Sequence, residues 1–282
     1  MSISRWTGLT ALTVVLALIQ PHGANAVAVP PPAPPALHYA DLVDLADSAP
    51  LVLRAEIRDA VLLKPERAPD VRQGWGRIYV EATATQALRG MVPPGMVIRY
   101  LADVPLGPKG KLPPYKKLSV LLFARGKAGS DELQLVAPDA QLVWGQDLDT
   151  RVRSLLGELG ASDAPPRITG VTQALYEPGN LVGEGETQLF LSTANSQPAT
   201  ITVLHKPGQP TNWSVSFSEV VDARGRPPAP DTLPWFRLAC GLPRALPGGV
   251  NVSDNNDDRV QAALDYESVL HDLGPCERAR AH

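Results

Sequence analysis

Two cysteines in 282 residues, Cys240 and Cys276, exclude a disulfide-dense scaffold and a Cys-rich metal cluster. Their spacing is neither C-x-x-C nor part of a Cys/His array, so a redox-active dithiol or a zinc site has no support. Aromatic residues make up only 5% of the chain, so the core must be built chiefly from Leu, Val, Ile and Ala. Charge is nearly balanced, with 26 Lys and Arg against 29 Asp and Glu. That balance removes any electrostatic drive toward nucleic acid. The sequence also lacks G-x-S-x-G, H-E-x-x-H, a phosphate-cradling Gly loop and paired metal-ligand spacing. These gaps point away from catalysis, and neither a cofactor nor a metal is expected.

What is present begins with an export signal. Arg5 is followed by the apolar stretch "TGLTALTVVLALI", which is 13 residues long, and then by Ala24-Asn25-Ala26. A membrane-spanning helix needs roughly 20 residues, so a signal peptide cleaved after Ala26 is the better reading. Cleavage leaves 282 − 26 = 256 residues with 25 basic and 29 acidic side chains, a formal charge of −4. No Cys follows the apolar run to take a lipid, so the mature chain is expected to be soluble, in the periplasm or secreted. There, two cysteines are expected to pair, and closing a loop of about 36 residues stabilises a fold by roughly 3 to 4 kcal/mol.

Residues 27–39 form a Pro-rich linker, and proline is frequent throughout, with 29 residues. Many short strands and fixed loops follow from that, rather than long helices. The segment 40–147 opens with a short helix around Leu42, Leu45 and Ala46, then gives five strand candidates: 51–59, 77–88, 95–101, 118–124 and 133–144. A small OB-like barrel is expected there, with a sandwich as the alternative. A helix with Asp149 as N-cap and Gly160 as stop occupies 148–166 with the linker behind it.

Residues 167–282 are expected to form an antiparallel meander. Its strands are 187–193, 199–205 and "NWSVSFSEVV", where Trp213, Val215 and Phe217 alternate with a wet row of Ser214, Ser216 and Ser218. C-terminal helices follow. One bears Cys240, and the other is expected to bury Val260, Ala263, Leu264 and Leu270. The whole is thus mainly β, in the α+β class.

Candidate sites are few. The loop "KGKLPPYKK" gathers Lys109, Lys111, Lys116 and Lys117 around Tyr115, suited to an anionic glycan, a lipid head group or an acidic partner. Lys and Pro beside the apolar "LSVLLFA" also serve as aggregation gatekeepers. Trp75 and Tyr79 are expected inside the barrel. "SDNNDD" has the alternation of a calcium loop, but Arg259 stands where that loop needs Gly and Asp265 where it needs Glu, so a helix N-cap is the better reading. His205 and Glu219 could do acid-base work only if the strand register pairs them.

The signal peptide and Pro-rich linker, with "DLVDLADSAPLVLRAEI", "ITGVTQALYEPGNLVGEGETQLFL" and "RLACGLPRALP", resemble uncharacterised exported proteins of Gram-negative bacteria. The resemblance spans most of the mature chain, implies a periplasmic location and carries no catalytic residue. The function expected is binding or envelope assembly, through a protein or an anionic envelope component and without nucleic acid or a stable membrane anchor. An envelope-polymer hydrolase or lyase, or an inhibitor or chaperone of secreted proteins, are the alternatives.

Overall fold

The period-two alternation that starts at Leu51 becomes a strand, β1 (Leu51–Leu62), with Leu53, Ala55 and Ile57 facing inward. The computed structural model describes residues 37–127, 130–218 and 225–280. Residues 1–26 with the cleavage position Ala26, the linker up to residue 36, and Glu219 lie outside them. β2 (Trp75–Arg89), β3 (Val97–Pro105) and β4 (Ser119–Arg125) complete the long strands of the first sheet, with the short β5 (Gln134–Leu135) and β6 (Gln141–Val143) beside β4. The sheet order is β3-β2-β1-β4-β5.

Three register shifts along β1 bend it, so that its first half pairs with β4 while its whole length pairs with β2. A parallel bridge from Arg99 to Glu132 then brings the chain before β5 back against β3. The Arg99 N–H donates to Asp131 O at 2.7 Å, and the Leu133 N–H donates to Arg99 O at 2.9 Å. The sheet therefore curls into the barrel-like form rather than a sandwich. The strand expected over 133–144 is split into β5 and β6 by the turn at Pro138 and Asp139.

Helix α1 (Tyr39–Ser48) precedes the barrel. Its Asp41 is fully buried and accepts the backbone N–H groups of His38, Ala279 and Arg280 at 2.9, 2.9 and 3.1 Å. Three such donors meet the cost of burying a carboxylate, and two come from the far end of the chain. Helix α2 (Gln146–Gly160) follows the barrel, with Gly145 rather than Asp149 at its N-cap. Asp149 lies one turn in, where its carboxylate accepts Trp144 Nε1 at 3.1 Å and Arg153 Nε at 2.6 Å.

The second sheet has order β10-β9-β8-β7: β7 (Ile168–Pro178), β8 (Gly185–Thr193), β9 (Ala199–His205) and β10 (Asn212–Ser216). The meander is antiparallel throughout. Two features depart from expectation. β7 carries no period-two signal, because two bulges space its buried residues Ile168, Val171 and Ala174 three apart. The serine row is largely covered: Ser214 and Ser216 are buried, paired in register with Thr202 and Thr200, while Ser218, just past the strand, is exposed. Alternation separates the two faces of a strand, but small hydroxyl side chains do not reveal whether their face is covered.

Helices α3 (Leu233–Ala239) and α4 (Asn256–Leu273) follow. The Cys240–Cys276 disulfide ties the end of α3 to the chain just after α4. Asn255 caps α4 by accepting the Asp258 N–H at 2.9 Å, so "SDNNDD" is a helix start. The buried stripe of α4 is Ala262, Asp265, Tyr266, Val269 and Leu273, while Val260 and Leu264 are about half exposed. The helix is rotated from the apolar reading because Asp265 faces inward to a partner on the sheet. Both sheets belong to one compact unit.

Candidate functional site

Odd and even residues of β2 part cleanly. Ile78, Val80 and Ala82 are in the core, and Arg77, Tyr79 and Glu81 point outward. Tyr79 pairs with Val61 on one side and Leu101 on the other. The three form an apolar row across three strands, 43%, 53% and 46% exposed. The expectation that Tyr79 is buried is thus corrected. Its parity with Arg77 and Glu81 is the signal that places it outside.

Ion pairs flank the row. On one side Arg77 clamps Asp103 at 2.7 and 2.9 Å and also reaches Asp70. On the other, Arg99 lies 3.6 Å from Glu81 and also pairs with Asp131. Nearer the end of β2, Arg72 stacks 3.4 Å over the half-buried Trp75 ring.

The lysine loop, residues 106–118, adjoins this face at the same end. The Leu106 N–H donates to Gly74 O at 2.9 Å, joining it to the loop between β1 and β2. Lys109, Lys111, Lys116 and Lys117 are all exposed. Among the described residues none of the four takes part in an ion pair, and the loop contains no Asp or Glu. Tyr115 is not at their centre: it is a core residue, 6% exposed, and burial pushes its hydroxyl pKa up. Lys109 and Lys117 have positive φ, 61° and 68°, a region that costs a non-Gly residue of order 1 kcal/mol.

A second cluster lies on the other sheet. His205 Nε2 is 2.9 Å from the carboxylate of Asp265 on α4, a partner the sequence did not reveal. Asp265 is 3% exposed and also accepts Thr187 Oγ1 and, at 3.0 Å, Gln261 Nε2. The other ring nitrogen of His205 is 3.4 Å from Thr211 Oγ1. The tertiary fold thus brings His205 onto a carboxylate 60 residues away. With its oxygens taken by three donors, Asp265 holds the ring and joins α4 to β8 and β9. Among the described residues no group of three or more His, Cys, Asp or Glu is arranged to hold a metal ion.

No protein-family model matches this chain, and no curated protein matches it. The barrel face and the lysine loop therefore rest on their own geometry.

Proposed function

We propose that this protein works outside the cytoplasm, in the periplasm or secreted, as a non-catalytic binder of an acidic glycan. The polymer lies along the β1–β2–β3 face with its sugar rings against Tyr79 and its acidic groups against Lys109, Lys111, Lys116 and Lys117. The observation that carries this reading is the exposed, ion-pair-free lysine loop beside the exposed apolar row of Val61, Tyr79 and Leu101.

The chemistry is complementary. A sugar ring presents an apolar C–H face that packs on an aromatic side chain, and the phenol O–H of Tyr79 keeps a polar edge in water. Carboxylate or sulfate groups along such a chain meet four ammonium groups on a loop that itself carries no Asp or Glu. OB-like barrels bind oligosaccharides across this kind of surface, an argument by fold analogy only. The disulfide fits an oxidising compartment. Among the described residues no helix is long and apolar enough to cross a membrane.

Calorimetric titration with an acidic polysaccharide, polygalacturonate, and a neutral one, dextran, tests the reading. Polygalacturonate is expected to bind, more weakly at higher salt, and to lose affinity in a Lys109→Glu/Lys111→Glu variant and in Tyr79→Ala. Equal binding of dextran, or binding only to vesicles of anionic lipid, overturns it. A second reading, a hydrolase or lyase of such a polymer, rests on the His205–Asp265 pair. It requires new reducing or unsaturated ends to appear on incubation and to vanish in His205→Ala.

A further inference from the structure

Where α1, the β5–β6 turn, the start of β7, α3 and the C-terminal tail meet, they enclose a cavity of about 450 Å3. Its walls carry Arg167, Arg237, Arg278 and Arg280 together with Asp44, Asp47 and Asp139. Four positive and three negative side chains give 4 − 3 = +1.

Hydrogen-bond geometry identifies the arginine that is over. Arg237 is almost fully buried and grips both oxygens of Asp47, at 2.8 and 3.3 Å, while its Nε donates to Pro165 O. Arg278 takes Asp44 at 2.6 and 3.4 Å, and Arg280 holds both oxygens of Asp139. Each of these three guanidinium groups has a carboxylate at two points, the arrangement that best compensates a buried charge. Among the described residues the Arg167 side chain has only one polar contact, Nη2 at 2.9 Å from the Asp47 oxygen that Arg237 Nη1 already uses. Its side chain is 60% exposed, and it makes no second contact with that carboxylate.

Beside Arg167 the lining turns apolar, with Leu45, Val136, Ile168, Phe236 and Cys240 of the disulfide. The volume falls in the range of about 300 to 1,000 Å3 in which small ligands are held, and such sites combine apolar walls with few charged anchors. A dianion would meet three aspartates with one spare positive charge. A monoanion with an apolar body matches both the charge and the lining.

We propose that this cavity binds a small carboxylate bearing an apolar tail, its carboxylate on Arg167 and its tail over Phe236 and Ile168. The site is separate from the lysine loop and independent of the glycan reading. Its walls come from the barrel, from α1 and from the second half of the chain, so an occupant stabilises their junction.

Isothermal titration of the disulfide-bonded protein with octanoate, octanol and octylamine provides the test, with thermal melting alongside. Octanoate is expected to bind and to raise Tm. Octanol should bind at least about tenfold more weakly, since it lacks a charge-assisted hydrogen bond, and octylamine should not bind. Arg167→Met, at an exposed position, should keep the fold and lose about tenfold in octanoate affinity. Ser48→Trp, at the exposed end of α1 on the cavity wall, should fill the space and abolish binding. No heat and no Tm shift with octanoate overturn the proposal. So does unchanged affinity in Arg167→Met, or octanol binding as tightly as octanoate.

Discussion

Among the described residues, no buried polar side chain lies on the six strands of the barrel, whereas the second sheet buries Thr187, Thr200, Thr202, Ser214 and Ser216 and faces the buried Asp265. The surfaces are reversed. The barrel exposes an apolar row at Val61, Tyr79 and Leu101, while β9 and β10 have both faces partly or wholly covered. The first region is held mainly by apolar area, with the Tyr100 hydroxyl donating to Gln141 Oε1 at 2.7 Å, and can leave its outer face for a ligand. The second adds to its apolar core a covalent tie and buried polar groups, of which Asp265 with Thr187 and Gln261 is satisfied while Thr202 Oγ1 has no partner among the described residues, so its interior depends on polar partners as well as on area.

Breaking the covalent tie is the strongest test of that contrast. Cys240→Ser/Cys276→Ser should cost about 3 to 4 kcal/mol, because the bridge closes a 36-residue separation. Urea unfolding followed by one label on β9 and another on β2 should show the second sheet melting first. Simultaneous loss of both signals at the wild-type midpoint would contradict it. Asp265→Ala should cost about 1 to 3 kcal/mol by leaving Thr187 and Gln261 without their acceptor, while Asp265→Asn recovers part of this. A cost near zero would mean that the cluster is ornamental.

Acid sharpens the comparison from a point outside both sheets. The Arg153 hydrogen bond holds the Asp149 carboxyl below its ordinary range, against the opposing effect of burial and with help from Trp144. A depressed folded pKa contributes stability that is present above the ordinary value of about 3.9 and lost as pH falls through the folded value. The stability gap between wild type and Asp149→Asn should therefore be constant above about pH 5 and shrink below about pH 4. A gap that persists at low pH would assign the effect to packing. The smallest effect expected is at Lys117. Lys117→Gly relieves a positive φ and should stabilise by less than about 1 kcal/mol while weakening glycan binding. Unchanged binding would return the loop to a gatekeeping role.

Legibility followed the same division. The β1 and β2 alternation could be read because these strands keep a buried and an outward face over much of their length, β4 could be read as a continuous apolar run because both its faces are buried, and parity in "GRIYVEA" contains the position of Tyr79. β7 could not be read, since its bulges replace period two with a spacing of three. The α4 stripe was misread because hydropathy puts Asp265 outside, and only His205, Thr187 and Gln261 explain why it is inside. The lysine loop was visible as composition. Its freedom from ion pairs and its contact with Gly74 were not.

By itself the amino-acid sequence determined the β-rich class, the strand series of the barrel, a helix start within residues 253–258 and, having only two cysteines, which residues could form the disulfide. Local periodicity, capping chemistry and counting are enough for those. Tertiary structure decided how the first sheet curls, which face of α4 is buried, where His205 finds its carboxylate and how four arginines and three aspartates come to line one cavity. Each of these depends on residues tens to hundreds of positions apart, as Asp44 and Arg278 are, and no local pattern encodes which distant partner will satisfy a buried charge.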